Sequence, residues 1–282
     1  MTHLKPTQLL IALLLSLLPL CTAVGERPLR VLAIGNSFSE DAIEHNLHEL
    51  AKADGTELII GNLYIGGCTL ARHWKNASAN LPEYRYRKID TDGKTIEMQH
   101  STLERALKDE QWDYISLQQA SGVSGLEESY EPYLGQLIDY IRSLSPHSRI
   151  IWHQTWAYAH DATHPEFPNY GRSQQRMYHM ICQAARKAMK QHGIHTVVPS
   201  GTAIQNARGS WIGDKMNRDG YHLNLVYGRY TAACTWLEAL THHSVVGNSY
   251  APAGMSPRLI LTTQKAAHYA VKHPWKVSKI KE

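Results

Sequence analysis

Short aliphatic runs recur along this chain. Each is ended by a glycine or a polar residue, and most are followed by a stretch with helical apolar spacing. "LRVLAI" (29–34), "TELIIGNLYI" (56–65), "WDYISLQQ" (112–119), "SRIIWHQTW" (148–156) and "HTVVPS" (195–200) read as five buried strands. The spacing predicts helices from about 40 to 53, over 102–109, 130–144 and 172–191, and again over 225–240 and 257–272. Strands alternating with helices imply an α/β fold: a mostly parallel five-stranded sheet covered on both faces, a three-layer α/β/α sandwich. "EYRYRKIDTDGKTIEMQH" (83–100) alternates around Asp92-Gly93, a hairpin signal, and reads as a surface insertion.

The first residues stand apart. Lys5 precedes "LLIALLLSLLPLCTA", which is too short and too near the start for an ordinary spanning helix. Cys21-Thr22-Ala23 fits a small-residue cleavage site, so residues 1–23 are expected to be a secretory signal peptide and 24–282 one hydrolase-sized domain. The mature protein is then secreted or periplasmic, without stable membrane insertion. Lipidation of Cys21 is the alternative, although Leu20 is large for the position before a lipidated Cys. Cys68, Cys182 and Cys234 would remain, allowing at most one bridge. The formal charge of +4 is spread along the chain, and no basic block points to nucleic acid. Asn76-Ala77-Ser78 matches a glycosylation acceptor.

In an open α/β sheet, ligands sit at the carboxyl ends of the strands. Ser37 follows the first strand, Gly67 the second, Gln118 and Gln119 the third, and His153 and Gln154 the fourth. Ser37 has two readings. Ser37-Phe38-Ser39-Glu40 fits the S-x-x-E capping box, and the same serine could be a nucleophile. A nucleophile needs a base and an orienting carboxylate. "RDGYHLN" supplies Asp219 and His222, three apart on one loop before a closing helix. In a chain with 17 histidines such a pair is expected about once by chance, and "HDATH" supplies a second with Asp161 and His164. Asp219 and His222 are preferred because they follow the fifth strand's segment; the other loop could line the site. Backbone N–H groups of Ser37 and Gly67 could serve a developing oxyanion, with a side-chain amide from Gln118 or Gln119 as third donor. The histidines show no compact ligand spacing that calls for a metal.

"IGNSFSED", "IGGCT" and "DGYH" resemble the first, second and last blocks of the SGNH (GDSL-like) hydrolases, with Asn36 where many members have Asp. "GNSFS", "LQQASG" and "WHQTWAY" further resemble a less characterised branch of secreted bacterial proteins. The resemblance covers roughly residues 29–242. It implies an SGNH/flavodoxin-like fold and a serine esterase with Ser37 as nucleophile, His222 as base and Asp219 as its orienter, with no cofactor. The third block departs from the family's G-x-N-D: "LQQASG" has no Asn. Some carbohydrate esterases with related folds use a Gln there, which favours Gln118 narrowly over Gln119. The expected substrate is a small-molecule or glycan ester, an acetyl ester above all. Asn36, His153, Trp156 and Tyr158 are the candidate substrate-binding residues; Trp74 and Trp211 could also stack on sugar rings. The alternatives are a lipase or thioesterase of the same superfamily, and a glycan-binding protein with a degenerate site.

Overall fold

In the computed structural model, residues 27–281 are described, so the expected signal peptide and the lipidation alternative at Cys21 lie outside them. The strands are β1 (Leu29–Gly35), β2 (Leu58–Tyr64), β3 (Tyr84–Ile89), β4 (Thr95–Ser101), β5 (Tyr114–Leu117), β6 (Arg149–His153) and β7 (Val197–Val198). They form one sheet in the order β4-β3-β2-β1-β5-β6-β7. The five aliphatic strands, β2, β1, β5, β6 and β7, run parallel. Taken alone, they have the flavodoxin-like order 2-1-3-4-5.

The sheet has seven strands, not five, because the hairpin is part of it. β3 pairs antiparallel with β2, from Ile60↔Ile89 to Tyr64↔Arg85, and β4 pairs with β3. The reason lies in the two faces of β3. Tyr84 and Tyr86 are buried in the core on one side. On the other, Arg85 and Arg87 reach the buried carboxylate of Glu44 at 2.7 and 3.1 Å, and the Arg85 guanidinium also lies over the Tyr64 ring, 4.4 Å from its centroid. A surface hairpin would leave all of this in water. Docked, it closes the edge that β2 would otherwise expose.

The helices are α1 (Ser37–Ile43), α2 (Leu47–Asp54), α3 (Leu70–Ser78), α4 (Leu103–Asp109), α5 (Tyr133–Leu144), α6 (Gln174–His192), α7 (Ser200–Arg208), α8 (Tyr227–Thr241) and α9 (Pro257–Lys272). Period-2 alternation in β1 divides the core: Val31 and Ala33 pack with α1, α2 and α8, whereas Leu32 and Ile34 pack with α3, α4 and α5. Each fully buried Leu, Ile or Val in these layers contributes about 1.5–3 kcal/mol. The helix predicted from about 40 to 53 is two helices. Glu44 ends the first by turning inward to Asn62 and the two arginines, and the chain restarts at Leu47. The helices α3 and α7 carry no prediction from the sequence. The glycosylation acceptor Asn76 lies on α3 and is 3% exposed, which closes it to that modification. Cys68, Cys182 and Cys234 are buried free thiols. Among the described residues no helix is long and apolar enough to cross a membrane.

Candidate active site

β1 ends on Gly35, where only glycine fits: a Cβ there would lie 2.5 Å from Ser39 Oγ and 3.0 Å from Gln118 Oε1. The chain then turns through extended Asn36, whose Oδ1 accepts from the backbone N–H of Phe38 at 3.0 Å. Asn36 is therefore the cap of α1, and the capping box read around Ser37 does not form. Glu40 instead pairs with Arg85 at 3.3 Å. Ser37 becomes the first helical residue, partly exposed. Neither its hydroxyl nor its backbone N–H has a partner among the described residues, as expected for a first-turn amide.

The turn after β2 is held against this point. Asn36 Nδ2 donates to the Cys68 carbonyl at 3.1 Å, and Ile65 N–H donates to the Gly35 carbonyl at 3.3 Å. Gly67 has φ of 60° with open space where a side chain would be, a left-handed backbone suited to glycine. Its N–H too has no partner among the described residues.

Asp219 and His222 come from the loop between α7 and α8. Asp219 Oδ1 accepts from the backbone N–H groups of Tyr221 and His222 at 3.1 and 2.7 Å, and its Oδ2 lies 2.6 Å from His222 Nδ1. An ionised carboxylate only accepts, so Nδ1 carries the hydrogen and Nε2 is free to take a proton. Burial tends to raise the Asp219 carboxyl, but the His222 ring and the two amides outweigh it and hold it below its ordinary value.

Three contacts bind this loop to α1. The Phe38 ring lies 6.3 Å from the His222 ring and stacks on Trp156 at 4.0 Å. Trp156 Nε1 donates to the Tyr221 carbonyl at 2.7 Å. Asp41, one turn beyond Ser37, is the third and was not singled out from the sequence. Its buried carboxylate accepts from Leu223 N–H at 2.8 Å, Arg229 Nε at 2.8 Å and Arg218 Nη1 at 3.0 Å. Nothing but its position four residues after Ser37 signals this role.

The other candidates fall elsewhere. His164 faces Tyr158 and Tyr221, with ring distances of 4.7 and 4.8 Å; its partner in sequence, Asp161, is exposed and does not bond it. Gln119 spends its amide away from the site: Nε2 donates to the Ser129 carbonyl and hydroxyl, and Oε1 accepts from Leu70 and Ala120. Gln118 Nε2 donates to Asn36 Oδ1 at 2.9 Å, beside Ser37. Asn36, His153, Trp156 and Tyr158 are all at most 2% exposed with their polar atoms bonded inside the protein, so none is a stacking or binding face; Gln118, 1% exposed, differs in keeping one Nε2 hydrogen that no described residue accepts. Trp156 packs under the site, Tyr158 bonds Ser121 at 2.9 Å, and His153 lies behind Gln118. Cys68, next to Gly67, is a poor nucleophile, since burial pushes its thiol up to about 12. Among the described residues no group of three or more His, Cys, Asp or Glu is placed to hold a metal ion. A cavity of about 720 Å³ lined by Leu29, Asp54, Asp113 and His243 opens at the opposite, amino-terminal end of the strands.

A sheet of this order, with a serine after its first strand and an Asp-x-x-His loop near its last helices, has the fold of the SGNH hydrolases. A protein assigned as an SGNH hydrolase from Slackia heliotrinireducens shares it at 21% identity and a TM-score of 0.51, over 76% of this chain and 99% of that one. A protein assigned as a GDSL-like lipase from Parabacteroides merdae does so at 17% identity and a TM-score of 0.52, over 76% and 96%. Residues 30–270 match the DUF4886 family model, a domain of unknown function, and the chain belongs to that family. A DUF4886 protein from Bacteroides uniformis is 53% identical, with a TM-score of 0.89 over 90% of this chain and 98% of that one. No curated protein matches the chain.

Proposed function

We propose that this protein is a secreted serine esterase of the SGNH type that removes short acyl groups, acetyl above all, from a polar alcohol such as a carbohydrate. The observation that carries the reading is the Asp219–His222 pair at 2.6 Å, on a loop tied through Asp41 and Trp156 to the helix that Ser37 begins. Ser37 Oγ attacks the ester carbonyl while His222 Nε2 takes its proton. Asp219 holds the imidazole in the Nδ1–H tautomer and stabilises the imidazolium. The unpaired N–H groups of Ser37 and Gly67, with the amide of Gln118, receive the oxyanion. His222 then protonates the leaving alcohol, and water releases the acid by the same steps.

Exposed Gly66 and Gly67 and partly exposed Tyr221 and His222 favour a small, polar ester, whereas Leu225 and Val226, exposed further along the His222 loop, are what a longer acyl chain would meet. Turnover of p-nitrophenyl acetate by the wild type, and its loss in a folded Ser37→Ala variant, is the expected result. Full activity in Ser37→Ala would refute the mechanism. Release of long acyl chains in preference to acetate would move the substrate to lipids. Export predicts a mature protein beginning at Val24, read by N-terminal sequencing; a lipid on Cys21 would place it on a membrane instead.

A further inference from the structure

Behind the proposed oxyanion site lies a chain of polar side chains of which the mechanism uses only Gln118. Asn36, Gln118, His153 and Ser200 are each at most 2% exposed. Their hydrogen bonds can be assigned from one end without ambiguity. The backbone N–H of Phe38 only donates, so the Asn36 atom it meets at 3.0 Å is the carbonyl oxygen. The Gln118 atom facing that oxygen at 2.9 Å must donate, so it is the amide nitrogen. Gln118 Oε1 then faces His153 Nδ1 at 2.8 Å, and Nδ1 must carry the hydrogen. A neutral ring protonated there accepts at Nε2, where Ser200 Oγ donates at 3.0 Å. The ring is otherwise enclosed by Trp156 and Trp236, with no carboxylate against it. Burial alone pushes its pKa down to about 3, so it stays neutral.

We propose that His153 is a positioning residue that acts through Gln118. Its Nδ1–H locks the Gln118 amide with nitrogen toward Asn36, so that one amide hydrogen is held by Asn36 and the second is left for the oxyanion of an ester bound at Ser37. This rests on the esterase reading above. It explains how a chain without the Asn of the usual third block can keep a third donor. Turned over, the amide would set its oxygen against Asn36 Oδ1 and toward the oxyanion, and its nitrogen against the His153 Nδ1–H; Asn36 disfavours that orientation from one side and His153 from the other, so the amide presents N–H.

The test has two arms. The first needs no activity: side-chain nitrogen NMR of the wild-type protein, with the His153 signals identified by their loss in His153→Asn. The expected spectrum is a neutral Nδ1–H tautomer that does not titrate between about pH 5 and pH 8, where an unperturbed histidine would. An Nε2–H tautomer, or a ring that titrates in that range, would overturn the assignment. The second arm is kinetic, on p-nitrophenyl acetate with folding checked by thermal melts. His153→Phe keeps a ring between the tryptophans but removes the donor, and should lower kcat about 10²-fold with KM little changed, the signature of a lost oxyanion donor. His153→Asn places an amide N–H where Nδ1–H was and should recover most of that loss. Equal losses in both variants, or a change confined to KM, would reduce His153 to packing. Absence of wild-type turnover would instead sink the esterase reading and the oxyanion role with it, while the tautomer would still decide whether His153 fixes the amide.

Discussion

Replacing Asp41 by Asn keeps the size of the side chain and removes its charge. Asp41 is 1% exposed, and its two oxygens receive Leu223 N–H, Arg229 Nε and Arg218 Nη1 at 2.8–3.0 Å. In the variant one acceptor becomes an NH₂ donor, so one of these donors must face another donor. Both guanidinium groups also lose their countercharge. Breaking a buried ion pair from one side costs about 3–5 kcal/mol. Arg218 and Arg229 retain 31% and 15% side-chain exposure, so water relieves part of the loss and the lower end, about 3 kcal/mol, is expected. For a chain of this size that lowers Tm by about 6–12 °C. Leu223 adjoins His222, so the loop that carries the base shifts as well. A misplacement on the ångström scale reduces kcat by up to about 10²-fold. Urea denaturation at neutral pH and ester turnover measure both effects. A variant within about 1 kcal/mol of wild type, the value of an exposed ion pair, would show that this carboxylate does not hold the loop.

Gly220, in the same loop, has φ of 90°, and a Cβ there would lie 3.1 Å from Ala162 Cα; Gly220→Ala should cost about 1–3 kcal/mol and reduce turnover, and a neutral melt would refute the tight contact. Burial holds His73 and His153 neutral, with pKa values down to about 3. The unfolded chain therefore binds protons near its ordinary histidine pKa that the native state refuses, so stability falls as pH drops from about 6.5 toward 3, by up to about 1.4 kcal/mol per pH unit for each. His73→Phe should make that slope shallower in denaturation curves taken across the range, and an unchanged slope would count against a buried neutral His73. Iodoacetamide at about pH 8 should leave the buried Cys68, Cys182 and Cys234 of the native protein intact, and fast alkylation of Cys68 would reopen it as a reactive group.

The parallel strands were legible because burial on both faces leaves a continuous aliphatic run, as in "LRVLAI". The hairpin was legible as a hairpin but not as part of the sheet. Its alternation shows one apolar face, and nothing local says that Arg85 and Arg87 will find Glu44 on the other side. Two helices escaped for a related reason. α3 buries His73 and Asn76, polar residues that blur its apolar stripe, and α7 opens on Ser200, Gly201 and Thr202, all fully buried or nearly so. At the site, the order of Ser37, Gly67, Asp219 and His222 along the chain sufficed to propose a triad, and of that set the structure shows the Asp219–His222 pair in contact. The aromatic and imidazole side chains at and just beyond the end of β6 misled, because His153, Trp156 and Tyr158 look like ligand contacts in sequence but are buried under the site. The two glutamines illustrate the limit most clearly. Neighbours in sequence, they point to different partners, and only the fold shows that Gln118 reaches Asn36 while Gln119 closes the turn at Ser129.

The central claim is that Ser37 is a nucleophile activated by His222. Incubation with a fluorophosphonate probe, followed by mapping of the modified residue by mass spectrometry, tests it without knowledge of the natural ester. One label per chain is expected, on Ser37, with labelling strongly slowed in His222→Ala. No label, a label on another serine, or labelling of Ser37 at the same rate in His222→Ala would contradict it.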